Sequence, residues 1–277
     1  MKKVLVIGSA GMAGHMICKY FETFKKYELV RVARTDKYGY CDIVLDVQDS
    51  AKVLEIVTQN DFDYIINCVG VLVQASADDL PRATFVNSVF PNFLAKITKD
   101  TKTKVIHLST DCVFLGDNGP YSETDPHDGV GNYALTKALG EINNSKDLSI
   151  RMSIIGPELK DNGSGLMQWF MKQKGTVKGY TKAVWNGVTT LELAIHIDKL
   201  LDLDITGVYN LAPKFDITKY DLLLLIQKVY EKDGVDIVPD DEVVFNKTLI
   251  SKRLNEYNPM IPNYLTQLTE LKAFNTK

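Results

Sequence analysis

The chain has 277 residues, 45% hydrophobic and 24% charged, with 32 basic against 35 acidic side chains and a formal charge of −3. That balance excludes a disordered or fibrous chain and offers no overall basic face for nucleic acid, while the length suffices for one or two domains with their own core. The four cysteines, Cys18, Cys41, Cys68 and Cys112, contain no C-x-x-C pair, so they read as buried thiols of a reducing compartment, not as a zinc site or disulfide frame.

In chain order, the first apolar run, Val4–Ile7, stops at Gly8, and glycines recur at 11 and 14. A secretory leader is therefore not expected here. No run of 18 apolar residues occurs elsewhere, so no membrane-spanning helix is expected and the cytoplasm is the default location. Short β-branched runs follow at Leu29–Val32, Ile43–Leu45, Tyr64–Cys68, Val105–Leu108 and Leu148–Ile155. Each is apolar at consecutive positions, as strands covered on both faces must be. Helical spacing lies between them at Met12–Thr23, Ala51–Val57, Arg82–Thr98 and Tyr133–Asn144. This alternation predicts an α/β fold with a doubly wound parallel sheet over residues 1–155. Beyond it, helical periodicity at Gly165–Lys172, Thr189–Leu201, Lys219–Glu231 and Leu265–Leu271 predicts a smaller helix-rich lobe over 156–277, from which Gly207–Leu211 could return to the sheet as a strand.

Gly8-Ser9-Ala10-Gly11-Met12-Ala13-Gly14 is a G-x-x-G-x-x-G turn between the first strand and the first helix. Missing side chains there let backbone N–H groups and the helix N-terminus approach a pyrophosphate. About 20 residues on, where an acid would bind a ribose 2′-hydroxyl, stands Arg34. A guanidinium suits a 2′-phosphate, so NADP is favoured over NAD.

Tyr133 and Lys137 are four residues apart, on one helix face. A nearby ammonium lowers a phenol's pKa and would make Tyr133 a usable acid and base. Ser109 and Thr110 follow the Val105–Leu108 run, at the strand end where ligands of such sheets bind.

These pieces, with Asn67-Cys68-Val69-Gly70, Val86-Asn87, Ser109–Phe114, Tyr121–Pro126 and Gly140-Glu141, resemble the extended short-chain dehydrogenase/reductases, in particular the dTDP-4-dehydrorhamnose reductase group. The resemblance covers roughly the first 155 residues. It departs at Ala134, where a glycine is frequent, and in a slightly short loop from Thr110 to Tyr133. It implies Thr110 as the catalytic hydroxyl, Tyr133 as general acid, and Lys137 as the tyrosine's activator and a ligand of the nicotinamide ribose. Gly8, Ser9, Gly11, Met12 and Gly14 would form the pyrophosphate turn, Cys68, Val69 and Gly70 the ribose and nicotinamide side, and Asp46 and Val47 the adenine end.

On the substrate side, Gln74 is positioned for sugar hydroxyls, Trp185 could cover a base or sugar, and Arg253 could neutralise a diphosphate. The four histidines sit apart and suggest no metal cluster. The implied activity is NADPH-dependent reduction of the 4-keto group of a nucleotide-activated deoxysugar for surface polysaccharide synthesis. An epimerase or dehydratase, or a non-catalytic regulatory subunit of the same fold, are the alternatives. Homodimerisation through helices is a family-level expectation.

Overall fold

A computed structural model describes residues 1–276. Among the described residues, twelve strands occur in chain order: β1 (Lys2–Ile7), β2 (Tyr27–Ala33), β3 (Ile43–Val44), β4 (Tyr64–Asn67), β5 (Lys104–Leu108), β6 (Leu148–Arg151), β7 (Ile154–Ile155), β8 (Gly175–Trp185), β9 (Val188–Thr189), β10 (Gly207–Asn210), β11 (Ile217–Thr218) and β12 (Val235–Asn246). Seven of them make one parallel sheet in the order β10-β6-β5-β4-β1-β2-β3. Both faces are covered. Val4 and Val6 of β1 enter one apolar core with Ile66 and Ile106, while Leu5 and Ile7 enter the other with Ile65 and Val105. That is why these strands read as unbroken apolar runs.

The strand order reverses between β1 and β4, which opens a crevice outside their carboxyl ends. Gly207–Asn210 crosses back from the later part of the chain to pair with β6, so the sheet does not stop at residue 155. Helix Thr190–Leu201 packs on helix Met12–Phe24, tying the later residues to the sheet.

The expected helix over Arg82–Thr98 is a continuous rod with a wider turn at Phe85–Val89 between Leu80–Thr84 and Phe90–Ile97. Pro91 has no N–H for the carbonyl of Asn87, and a turn with shifted bonding accommodates that loss. The freed Asn87 carbonyl presses on Gly140, where an added Cβ would meet it at 1.8 Å. Helix Gly131–Leu139 accordingly ends at Gly140, short of the expected Asn144.

The helix-rich picture of the second lobe needs correction. It contains a three-stranded sheet, β11-β8-β12, in which β8 and β12 run 11 and 12 residues. Their half-buried alternation was interrupted in the sequence by Gly179, Pro239 and a run of acids, which hid the period of two. No helix among the described residues is long and apolar enough to cross a membrane.

Candidate active site

The glycine turn is dictated by backbone space. Gly8 takes φ +87°, a left-handed value that favours glycine, and its N–H donates to the Val32 carbonyl at 2.8 Å. A Cβ on Gly14 would meet the Gly8 carbonyl oxygen at 2.2 Å, so that position locks helix Met12–Phe24 against the turn. The outcome is a cavity of 440 Å³ lined by Gly8, Ala10, Gly11, Arg34, Leu45, Asp46, Val47, Cys68, Val69 and Gly70, among others.

Three residues of the expected cofactor set act from behind this wall. The Ser9 hydroxyl is fully buried and donates to the carbonyls of Val32 and Tyr40, joining the turn to β2. Met12 packs its methyl toward Gly165 of the second lobe, and Gly14 serves the turn itself. The lining also includes Thr35 and Tyr38 from the loop after β2, Arg82 and Val86 from the helical rod, and the distant Lys160, none of which the sequence marks as site residues.

The residues present fit a phosphorylated dinucleotide. Arg34 reaches the cavity exposed and without an ion pair among the described residues. Arg82 lines it as well, with a buried Nε that has no hydrogen-bond partner. Asn87 holds the far wall: its side chain accepts from the Val71 N–H at 2.8 Å and donates to the Val71 carbonyl at 3.0 Å and to Thr136 Oγ1 at 3.1 Å.

At the end of β5 the two adjacent hydroxyls separate in role. Ser109 Oγ donates to Glu141 Oε1 at 2.7 Å, and Glu141 is gripped in turn by Arg151 through Nε and Nη2, each at 2.7 Å. These donors, Arg151 foremost, outweigh burial and hold the Glu141 carboxyl at about 2. Ser109 is thus committed beneath the site. Thr110 caps the short turn Asp111–Val113, accepting from the Cys112 N–H at 3.1 Å and donating to Asp111 Oδ1 at 3.1 Å, and this turn packs on the helix Gly131–Leu139 that carries Tyr133.

Tyr133 and Lys137 share the helix Gly131–Leu139, yet the expectation that this ammonium acidifies the phenol is corrected. Lys137 Nζ dives to the sheet, donating to the Leu108 carbonyl at 2.6 Å and lying 3.3 Å from His107 Nε2. Burial lowers it to about 8, offset in part by Glu141 and Cys68. Burial also pushes the Tyr133 phenol well above its ordinary value, and Cys112 and Asp111 push the same way while the Thr110 hydroxyl opposes them. An (i, i+4) spacing fixes the face from which two side chains leave, not where a long stem ends. The fully buried His107, kept neutral by desolvation and by Lys137, contacts Asn67 Nδ2 through Nδ1 at 3.1 Å.

The structure does not gather the expected substrate residues at this site. Trp185 is core: its indole N–H donates to Ser153 Oγ at 2.7 Å and its ring lies 5.5 Å from Tyr264. Arg253 braces the sheet edge, donating at 2.7 Å to the carbonyls of Thr206 and Val208 and pairing with Glu256. It borders a separate polar hollow with Glu123, His127 and Arg151. Gln74 is exposed and donates to Asp78 at 2.9 Å. No group of three or more metal-ligating side chains occurs among the described residues.

Comparison with known proteins places this geometry in a family. A probable low-salt glycan biosynthesis reductase of Haloferax volcanii is 28% identical over 188 residues, 64% of this chain and 63% of that protein. A dTDP-4-dehydrorhamnose reductase of Mycolicibacterium smegmatis is 31% identical over 143 residues, 50% of this chain and 40% of that protein. Both matches span less than two thirds of the relative's own length. Among solved structures, a dTDP-4-dehydrorhamnose reductase of Clostridium acetobutylicum superposes with TM-score 0.83 at 20% identity, over 99% of this chain and 100% of that one. One from Bacillus anthracis, in complex with NADP, gives 0.81 at 19% identity over 99% of each. At such identities these structures speak for the fold. The pattern of the RmlD substrate binding domain family matches residues 1–249, and this chain belongs to that family.

Proposed function

We propose that this protein is an NADPH-dependent reductase of the 4-keto group of a nucleotide-activated deoxysugar. The observation that carries this reading is the packing of the Tyr133 helix on the turn that Thr110 caps at the carboxyl edge of the sheet, in a fold whose glycine-turned cavity is lined by Arg34, without an ion pair among the described residues. Gly8, Gly11, Cys68, Val69 and Gly70 would hold the dinucleotide's pyrophosphate and nicotinamide ribose side, Asp46 and Val47 its adenine, and Arg34 its 2′-phosphate. NADPH, when bound, supplies the hydride that reaches the carbonyl carbon.

The chain's own groups then handle the proton. Tyr133 hands its hydroxyl proton to the ketone oxygen as charge develops there, and the phenolate left behind is reprotonated from water, which reaches the partly exposed residue. Its raised pKa keeps the phenol protonated at neutral pH, the form a ketone reduction consumes. Thr110 orients the phenol and the substrate oxygen. Lys137 adds a positive charge on the Cys68 side, where the nicotinamide ribose would lie.

Names of relatives favour this substrate class, since they include dTDP-4-dehydrorhamnose reductases and a dTDP-4-keto-6-deoxy-D-glucose reductase. The test is NADPH oxidation by the purified protein with dTDP- and UDP-linked 4-keto-6-deoxysugars. Consumption of one NADPH per sugar supports the reading. Conversion without net consumption would assign an epimerase or dehydratase, and nucleotide binding without any conversion a regulatory subunit.

A homodimer and a cytoplasmic site of action complete the proposal. Leu72, Val73, Leu80, Val89, Leu135 and Leu139 stand exposed on the helices beside the site, and light scattering would measure the dimer. The four thiols are free, as a reducing compartment would keep them.

A further inference from the structure

Behind the cofactor wall, groups from β4, β5 and the helix Gly131–Leu139 form one hydrogen-bonded line, of which the mechanism uses only the last member. The Val69 N–H donates to Asn67 Oδ1 at 3.3 Å, Asn67 Nδ2 lies 3.1 Å from His107 Nδ1, and His107 Nε2 lies 3.3 Å from Lys137 Nζ, which donates to the Leu108 carbonyl at 2.6 Å. Asn67 and His107 have no solvent exposure and Lys137 has 3%. Each link must therefore be matched, donor to acceptor, within the protein.

That requirement fixes the hydrogens along the line. With Asn67 Oδ1 taken by the Val69 N–H, the amide nitrogen faces His107, so Nδ1 accepts and the proton of the neutral imidazole sits on Nε2. An Nε2–H needs a lone pair at Lys137, which an amine has and an ammonium lacks. An ammonium requires the reverse arrangement: Nε2 accepts, Nδ1 carries the proton, and the Asn67 amide turns to present its oxygen to His107. The turned amide then offers its NH₂ to the Val69 N–H, which loses its acceptor.

An oxygen from outside the protein can restore that bond. Val69 lines the dinucleotide cavity beside Cys68 and Gly70, and its nitrogen is so close to the glycine turn that a Cβ on Gly8 would meet it at 3.0 Å. The other titratable groups that bear on Lys137, Glu141 beyond the end of its helix and Cys68 after β4, act in both arrangements and do not choose between them.

We infer that Asn67 and His107 are positioning residues that tie the charge on Lys137 to cofactor binding: when the Val69 N–H donates to a dinucleotide oxygen, the Asn67 amide turns, the His107 proton passes from Nε2 to Nδ1, and the ammonium form of Lys137 is stabilised by a proton drawn from solvent. The inference rests on the dinucleotide-binding reading above and not on the identity of the sugar. Such coupling is reciprocal and is worth about one hydrogen bond, roughly tenfold. The Lys137 midpoint, held at about 8 in the empty protein by burial, should thus move up by about one pH unit in the loaded one. The alkaline limb of kcat/KM for NADPH reads the empty protein, and that of kcat reads the loaded one.

The test is ¹⁵N NMR of the full chain labelled in its histidine rings, the His107 ring being assigned from its backbone, with and without NADPH at about pH 8.5. The two nitrogens of a neutral imidazole report by their shifts which of them is protonated. The empty protein should show His107 protonated at Nε2 and the loaded protein at Nδ1. The same tautomer in both overturns the inference. Calorimetry of NADPH binding in buffers of different ionisation heat should show uptake of about half a proton at that pH, and no uptake also overturns it. Asn67→Asp is an independent check, because a carboxylate accepts from the Val69 N–H and from a His107 Nδ1–H together. That variant should hold the Nδ1 tautomer before NADPH is added and lose the uptake; a folded Asn67→Asp protein with wild-type uptake removes Asn67 from the coupling. If it does not fold, the wild-type spectra decide. If neither NADPH nor NADH binds, the dinucleotide reading falls and this inference with it, whereas binding with His107 unchanged overturns this inference alone.

Discussion

The two walls of the cleft are built on different principles. The cofactor wall is backbone: a left-handed Gly8, a Gly14 with no room for a methyl, and the loop held by Asn87. The reacting side is made of side chains carried by separate elements, Thr110 and Asp111 after β5 and Tyr133 on the helix Gly131–Leu139. A wall of backbone leaves a local motif. A wall of distant side chains leaves none, and can change its ligand without disturbing the fold.

Substitutions can sharpen this contrast. The largest effect is expected where the walls meet: Tyr133→Phe should lower turnover by about 10²- to 10⁴-fold with NADPH affinity intact, measured by NADPH oxidation and fluorescence titration. Retained activity would remove the phenol from the chemistry. On the cofactor wall, Arg34→Ala should weaken NADPH about 10- to 100-fold while leaving NADH unchanged, and equal losses for both would place the guanidinium elsewhere.

Gly14→Ala should cost about 1–3 kcal/mol of stability by overpacking and weaken every dinucleotide alike, because the new methyl would meet the Gly8 carbonyl oxygen. Thermal melts with and without NADPH would read both losses. Trp185→Phe, which removes the indole donor to Ser153, should cost only about 1 kcal/mol and leave NADPH binding untouched; a loss of NADPH affinity would dissolve the distinction between the walls.

Acidity sharpens the same contrast. Lys137 and Lys219 both lie near 8 through burial, below the roughly 10.4 of an unfolded lysine. Their burial cost is therefore full below pH 8 and is relieved as pH rises from there toward the unfolded value, so these groups make stability rise with pH in that window. Function runs the other way. Above about pH 8 the Lys137 ammonium loses its proton while Tyr133 keeps its own, so kcat/KM should fall there.

Much of the frame was readable in advance. The sheet strands were legible because burial on both faces forces consecutive apolar residues, and Gly8–Gly14 because only missing side chains permit that turn. Less was readable in the second lobe, where β8 and β12 hide behind Gly179, Pro239 and acids. Position in sequence placed Trp185 and Arg253 near ligand-bearing segments, but one turns into the core and the other to the sheet edge.

By itself, then, the amino-acid sequence determined what depends on local covalent chemistry and periodicity: the parallel sheet, the glycine turn, a phenol and an amine on one helix face, and a hydroxyl at a strand end. The tertiary structure alone decided where long side chains terminate. It sent Lys137 to the Leu108 carbonyl, committed Ser109 to Glu141 and set Thr110 as the cap of the turn that packs on the Tyr133 helix. The physical reason is that an ionic or hydrogen-bonded partner is chosen by distance across the packed fold, and a flexible stem of several rotatable bonds leaves that choice unwritten in the spacing of residues along the chain.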